Sequence, residues 1–149
     1  MNSQVSQKRK VAAVLNYLAK NRLMTLGTSF KNKPWVATTF FAFDNKFNII
    51  FYSRDDTKHS REIRKNANVS VVINHTWKQA GGGINGLQMT GRASKVSKKD
   101  YVHHCSLYKK RFSWADDFVS DHRLYIIKPK EIWLIDEKLF GHFHRVRVA

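Results

Sequence analysis

FYSRDDTKHSREIRKN, residues 51–66, reads as the end of a buried strand, a short acidic turn, and a helix whose first turn carries cations. Asp55, Asp56 and Thr57 can each offer an oxygen to the orphan N–H groups that open a helix, so each is an N-cap candidate. Lys58, His59 and Arg61 follow at once. Cations there oppose the helix macrodipole, whose N-terminal end is already positive. A bound anion reverses the sign, because free N–H groups and side-chain cations then act together. Two readings stand on this stretch alone: a phosphate site, or a basic solvated helix with Asp55 and Asp56 offsetting the charge.

Moving outward towards the N-terminus, Asn48 to Ser53 is the strand that feeds this turn, and Asp44 to Lys46 supply a hairpin turn before it. Trp35 to Phe43, WVATTFFAF, is rich in β-branched and aromatic residues and reads as a strand. Lys31-Asn32-Lys33 is a turn before Pro34, and Leu23 to Ser29 is a strand. Residues 7–21 carry Val11, Val14, Leu15 and Leu18 at helical spacing. Moving the other way, Asn66-Ala67-Asn68 stops the helix. Val69 to Asn74 is almost wholly apolar, as expected of a strand buried on both faces. His75 to Asn85, with Gly81-Gly82-Gly83, reads as a mobile loop. Gly86 to Val96 is a strand, and Ser97 to Arg111 a basic helix with Ser97 as its N-cap. Phe112 to Ser120 is ambiguous. Arg123 to Ile127, Lys130 to Asp136 and Gly141 to Val148 read as three closing strands.

This gives about eight strands and three helices, in local hairpin succession and without strict βα alternation. The expectation is a single domain over residues 1–149, mainly β (α+β): an antiparallel barrel with peripheral helices. A chain of 149 residues with 42% hydrophobic and 13% aromatic residues has enough apolar mass for one core and is not a disordered basic tail. Lys plus Arg number 27 against 11 Asp plus Glu, a net charge of +16. That excess favours an anionic partner, whether a nucleotide-like cofactor, nucleic acid or an acidic membrane, without choosing among them. The single Cys105 excludes an internal disulfide and fits a reducing compartment. No apolar run approaches membrane-spanning length, and residues 1–20 lack a signal-peptide form, so a soluble, cytoplasmic protein without membrane partners is expected.

Other chemical motifs are weak. The glycine run lacks the Gly-Lys-Ser/Thr ending of a P-loop. His142 and His144 alternate on one strand, but no third ligand is signalled and Arg145 repels a cation, so no metal site is expected. His103, His104 and Cys105 are consecutive on a helix and point in different directions, so Cys105 reads as a small core residue. Lys8 to Lys10 and KKRFSW, Lys109 to Trp114, combine cations with aromatics and allow nucleic-acid binding, or equally a basic solvated face.

Taken in order, "LMTLGTS", "PWVATTFFAFD", "IIFYSRDDTKHSREIRKNANVSVVI", "GLQMTGRASKV" and "IIKPKEIWLIDEKLFGHFHRVRV" give the chain, over roughly residues 10–148, a pattern that resembles the pyridoxamine 5′-phosphate oxidase-like flavin-binding split barrels. It looks closest to a small single-domain branch. The resemblance implies an antiparallel split β-barrel that binds FMN at the interface of a homodimer. Thr38, Thr39 and Phe40 are then on the strand under the flavin, and Tyr52 and Ser53 line the ribityl and phosphate region. Lys58 and His59 occupy the two positions that hold the phosphate, with histidine where a lysine is usual, which makes affinity depend on pH. Gln88 borders the ring, and Trp133 and Arg145 correspond to an aromatic and an arginine supplied by the partner subunit. The tail GHFHRVRVA has the residue types that grip a second phosphate but not their pattern, so pyridoxal phosphate formation is not expected.

The resulting expectation is an FMN-dependent oxidoreductase of undefined small-molecule substrate, the cofactor carrying the chemistry and no catalytic side chain being assigned. A deazaflavin or haem in the same cleft, or an empty site, are the cofactor alternatives. A non-catalytic module that binds nucleic acid or another polyanion through its basic surface is the alternative function.

Overall fold

The computed structural model describes residues 4–74, 84–117, 119–141 and 144–149. The expected glycine-rich loop and His142 lie outside these residues.

Helix α1, Gln7–Lys20, is capped by Ser6, whose hydroxyl accepts from the Arg9 N–H, and it buries Val14, Tyr17 and Leu18. Strands β1, Leu23–Phe30, and β2, Lys33–Phe40, pair antiparallel across Lys31-Asn32. Both turn residues have positive φ, 50° and 61°, the geometry that matches strand twist in a two-residue hairpin. The aromatic strand read as Trp35 to Phe43 is interrupted at Phe41. Its side chain is fully buried, and β3, Ala42–Phe43, turns away to pair with β4, Ile49–Ser53. The β3–β4 turn is held by the Asp44 carboxylate, which accepts from the N–H groups of Lys46 and Asn48. Helix α2, Lys58–Lys65, follows, then β5, Asn68–Asn74, and β6, Asn85–Lys95. Helix α3, Tyr101–Arg111, two short 3₁₀ turns, β7, Arg123–Asp136, α4, Glu137–Phe140, and β8, Arg145–Arg147, complete the chain.

All eight strands join one curled antiparallel sheet in the order β2-β1-β5-β6-β7-β4-β3, with β8 on β7. Its inner face packs Met24, Leu26, Phe41, Phe51, Ile73, Leu87 and Tyr125 with Val14 and Leu18 of α1. A second cluster, Ile50, Leu124 and Ile126 with Tyr108, Phe112 and Cys105, seals the other side of β4 and β7 under α3.

Four further expectations change. The strand covered on both faces is not β5: Val69, Val71 and Ile73 point inward, whereas Ser70 and Val72 are exposed. Double burial falls instead on β4 and the first half of β7, because α3 covers them. Helix α3 begins at Tyr101, since Ser97 closes a turn with Asp100 instead of capping. The first two closing strands are one, β7. It runs through Pro129 by a bulge in which Thr90 pairs with Glu131 and Gly91 with Pro129, leaving Lys130 extra. The third closing strand is reduced to β8, Arg145–Arg147.

Candidate functional site

The turn between β4 and α2 is built from local hydrogen bonds. Thr57 is the N-cap, and its Oγ1 accepts from the Ser60 N–H at 3.2 Å. Ser53 ends β4 with its Oγ 2.7 Å from His59 Nε2, 3.1 Å from Ser60 Oγ and 3.2 Å from Thr57 Oγ1. Three hydroxyls and an imidazole are thus knotted at the helix N-terminus. His59 is buried, and burial lowers its pKa from the ordinary histidine value, opposed by the charge of Glu62. Glu62, also buried, accepts from Thr28 Oγ1 at 2.6 Å and ties α2 to β1.

The acidic residues of the turn look elsewhere. Asp56 pairs with Arg54 at 2.7 Å. Asp55 accepts from Lys95 at 3.0 Å and from the Tyr125 hydroxyl at 2.8 Å, and these two bonds hold its carboxyl below the usual range. The two aspartates nevertheless also meet α2: Arg64 lies 3.9 Å from the Asp55 carboxylate, and Arg61 donates to the Asp56 carbonyl at 2.7 Å, so they offset α2 charge as well as that of Arg54 and Lys95.

Beside the knot is a cavity of about 480 Å³. Thr38, Thr39 and Phe40 of β2 form one side, and Tyr52 and Ser53 of β4 the floor, with His59, Thr57 and Arg54 at the polar end. Tyr108, Trp114 and Ala115 close it, and His122 stands on the wall. Phe40, Phe112 and Trp114 meet edge-on or tilted with centroids 5.0 to 5.5 Å apart, so the two rings that line the cavity, Phe40 and Trp114, rest on the buried Phe112. Tyr52 reaches under α3, with its hydroxyl 3.2 Å from Cys105 Sγ and 3.3 Å from Tyr101 Oη. Burial, then these hydrogen bonds, push its phenol far above the usual range, so it stays protonated. His122 Nδ1 lies 2.7 Å from the Asp121 carboxylate.

Of the expected site residues, Thr38, Thr39, Phe40, Tyr52, Ser53 and His59 line this one cavity. Lys58 points away, with its Nζ 4.3 Å from the centre of the Trp35 ring. Gln88, Trp133 and Arg145 are elsewhere in the protomer. Thr38, Thr25, Val72, Gln88, Trp133 and Arg147 are successive cross-strand partners on the outer face of the sheet. Arg145 is exposed one row away, opposite Ile135. The sequence reading missed Arg54, Tyr108, Trp114 and His122 as cavity residues. The aromatic content of residues 108–114 was the available signal. Among the described residues, no group of three or more His, Cys, Asp or Glu side chains is placed to hold a metal ion.

A curled antiparallel sheet with a polar-ended aromatic cavity at a strand–turn–helix junction is a split-barrel architecture. The family model described as pyridoxamine 5′-phosphate oxidase matches residues 10–136, and the chain belongs to that family. It is 27% identical over 127 residues to a UPF0306 protein of Pasteurella multocida, covering 85% of this chain and 83% of that protein. Among solved structures, it resembles a haem-binding protein from Mycobacterium smegmatis (TM-score 0.76, 11% identity), covering 97% of this chain and 59% of that one. It also resembles an FAD-binding protein from Mesorhizobium loti (TM-score 0.67, 16% identity), covering 81% of this chain and 90% of that one. These likenesses establish the fold as an antiparallel split barrel.

Proposed function

We propose that the protein binds FMN and acts as a homodimeric flavin-dependent oxidoreductase on a small molecule. The observation that carries this reading is the joining of the Ser53–Thr57–Ser60–His59 knot to an aromatic slot in one cavity. A flavin mononucleotide needs cations and N–H donors at its phosphate, hydroxyl partners along its chain and an apolar slot for its ring. The residues present fit those demands. The α2 N-terminus and His59 take the phosphate, with Lys58 swinging in from Trp35. Ser53 and Thr57 serve the ribityl chain, and Phe40, Tyr52 and Trp114 flank the ring. When bound, the flavin supplies two-electron transfer; Tyr52, protonated and uncharged, and the Phe40 and Trp114 rings keep water from its ring.

The outer face supports the dimer. Leu23, Val36, Phe40 and Val72 are 48%, 64%, 43% and 39% exposed there, an apolar surface suited to self-complementary contact. In the dimer, the partner's Trp133 and the partner's Arg145 complete the cavity, which explains their distance from it within a protomer. His59 and His122, lining one cavity, also favour haem as a second occupant. The visible spectrum of purified protein, before and after adding FMN and then haemin, tests both. A flavin spectrum retained through gel filtration supports the first reading. A haem spectrum that alone survives replaces it with the second.

A further inference from the structure

Besides the basic runs visible in the sequence, the fold assembles a further charged surface. In KKRFSW, Lys109 is paired with Asp116 at 2.5 Å and Phe112 is buried, so that run does not offer an open strip of cations and rings. This patch is assembled from two distant segments, the tip of the β1–β2 hairpin and α2. Phe30 and Trp35 lie on the hairpin face that meets α2, as the Thr28–Glu62 bond and the Thr28–Trp35 pairing require. Lys65 Nζ stands 4.6 Å from the Phe30 ring centre and Lys58 Nζ 4.3 Å from that of Trp35. Lys58, Arg61 and Lys65 recur at helical spacing and form a stripe along α2. Lys31 and Lys33 stand at the hairpin tip beyond them.

All five cations are exposed, and among the described residues none forms an ion pair. The acid side chains of α2 and its turn leave the four lysines alone: Glu62 turns inward to Thr28, Asp55 pairs with Lys95 and Arg64, and Asp56 pairs with Arg54, while Arg61 donates to the Asp56 carbonyl. Trp35 remains 42% exposed between the two cation rows.

We infer that this hairpin–α2 face binds single-stranded nucleic acid. Rows of exposed cations track a phosphate backbone, and an exposed ring beside them stacks an unpaired base, which a duplex keeps out of reach. An acidic membrane would use the same charge and would seat a tryptophan at headgroup depth, so vesicles are an arm of the test; the cations on both flanks of Trp35 favour a strand with phosphates on either side of a stacked base. The inference does not rest on flavin binding, and its test leaves Lys58 untouched.

The experiment is fluorescence anisotropy of the full chain with labelled fifteen-nucleotide dT and U oligomers, a matched duplex and phosphatidylglycerol vesicles, across a salt series. With five contacts, log affinity should fall with log salt at a slope of roughly −3 to −4. Lys31→Glu/Lys33→Glu/Lys65→Glu should weaken oligomer binding at least tenfold and flatten the slope by about 2. Lys8→Glu/Lys10→Glu/Lys20→Glu, with the same change in net charge, should change it less than about threefold. Trp35→Ala should weaken single strands about tenfold and leave the weaker duplex binding unmoved. Urea midpoints confirm that each variant is folded. Absence of wild-type binding, equal losses in the two triple variants, or equal affinity for duplex overturns the inference. Loss of vesicle retention in the first triple variant with oligomer binding unchanged also overturns it, and assigns the face to membranes.

Discussion

Replacing Thr57 by alanine removes the atom on which the β4–α2 junction turns. The Thr57 hydroxyl caps α2 through the Ser60 N–H at 3.2 Å, and it lies 2.8 Å from Ser60 Oγ and 3.2 Å from Ser53 Oγ. Loss of an N-cap costs about 1 kcal/mol. Loss of a neutral hydrogen bond in the knot costs a further ~0.5–1 kcal/mol, because Ser60 is fully buried but keeps Ser53 as a partner. The expected destabilisation is about 1.5–2 kcal/mol. For a chain of this size that is a Tm shift of about 3–8 °C. Urea unfolding, with the midpoint lowered and the m-value unchanged, is the assay. Thr57→Ser keeps both roles and should lose less than about 0.5 kcal/mol. A loss below ~0.5 kcal/mol for the alanine variant, or an equal loss for serine, refutes the reasoning that one hydroxyl holds the helix start.

Burial holds the His59 pKa below the ordinary value in the free protein, and a bound phosphate should raise it, so FMN binding takes up a proton. Affinity for FMN should therefore increase as pH is lowered from 8 towards 6, and His59→Gln should flatten that profile in a fluorescence titration. Without ligand the sign for stability is opposite: a depressed histidine pKa means that stability is lost as pH falls below about 6.5, where the unfolded chain takes the proton first. Urea midpoints of wild type and His59→Gln at pH 5.5 and 7.5 check it. Gly91→Ala places a Cβ 2.5 Å from the Lys128 carbonyl oxygen at the β7 bulge, and a loss of about 1–3 kcal/mol in urea unfolding is expected. Val36→Glu with Val72→Lys, both on the exposed outer face, should convert a dimer to a monomer in light scattering while leaving the circular dichroism spectrum unchanged.

How much was legible in the sequence differs from one segment to the next. The strand ending at Ser53 and the stop at Asn66 are decided by adjacent residues, and the structure keeps both; of the three cap candidates Asp55, Asp56 and Thr57 it uses Thr57. An apolar run says that a strand is apolar, not which neighbour covers it; Val72 therefore reads as core and is exposed, while β4 gains its second cover from α3, fifty residues away. Pro129 reads as a break, but a bulge opposite Gly91 lets β7 pass through it, and that accommodation depends on another strand. At the site, Lys58 and His59 look equivalent in sequence. Successive helix residues diverge by about 100°, which turns His59 inward to Ser53 and Lys58 outward to Trp35. Trp114 and His122 enter the cavity through two 3₁₀ turns whose path no local periodicity marks. Gln88 and Trp133 are direct cross-strand partners, a pairing that appears only with the β6–β7 register.

Titration of the purified protein with FMN, followed by flavin fluorescence and extended to Lys58→Ala and His59→Ala, addresses flavin binding most directly. Saturation at one FMN per protomer is expected, each substitution weakening binding by about 1.5–3 kcal/mol, roughly 10- to 150-fold. No saturable uptake by the wild-type protein, or uptake that neither substitution weakens, contradicts the assignment of this cavity to a flavin phosphate.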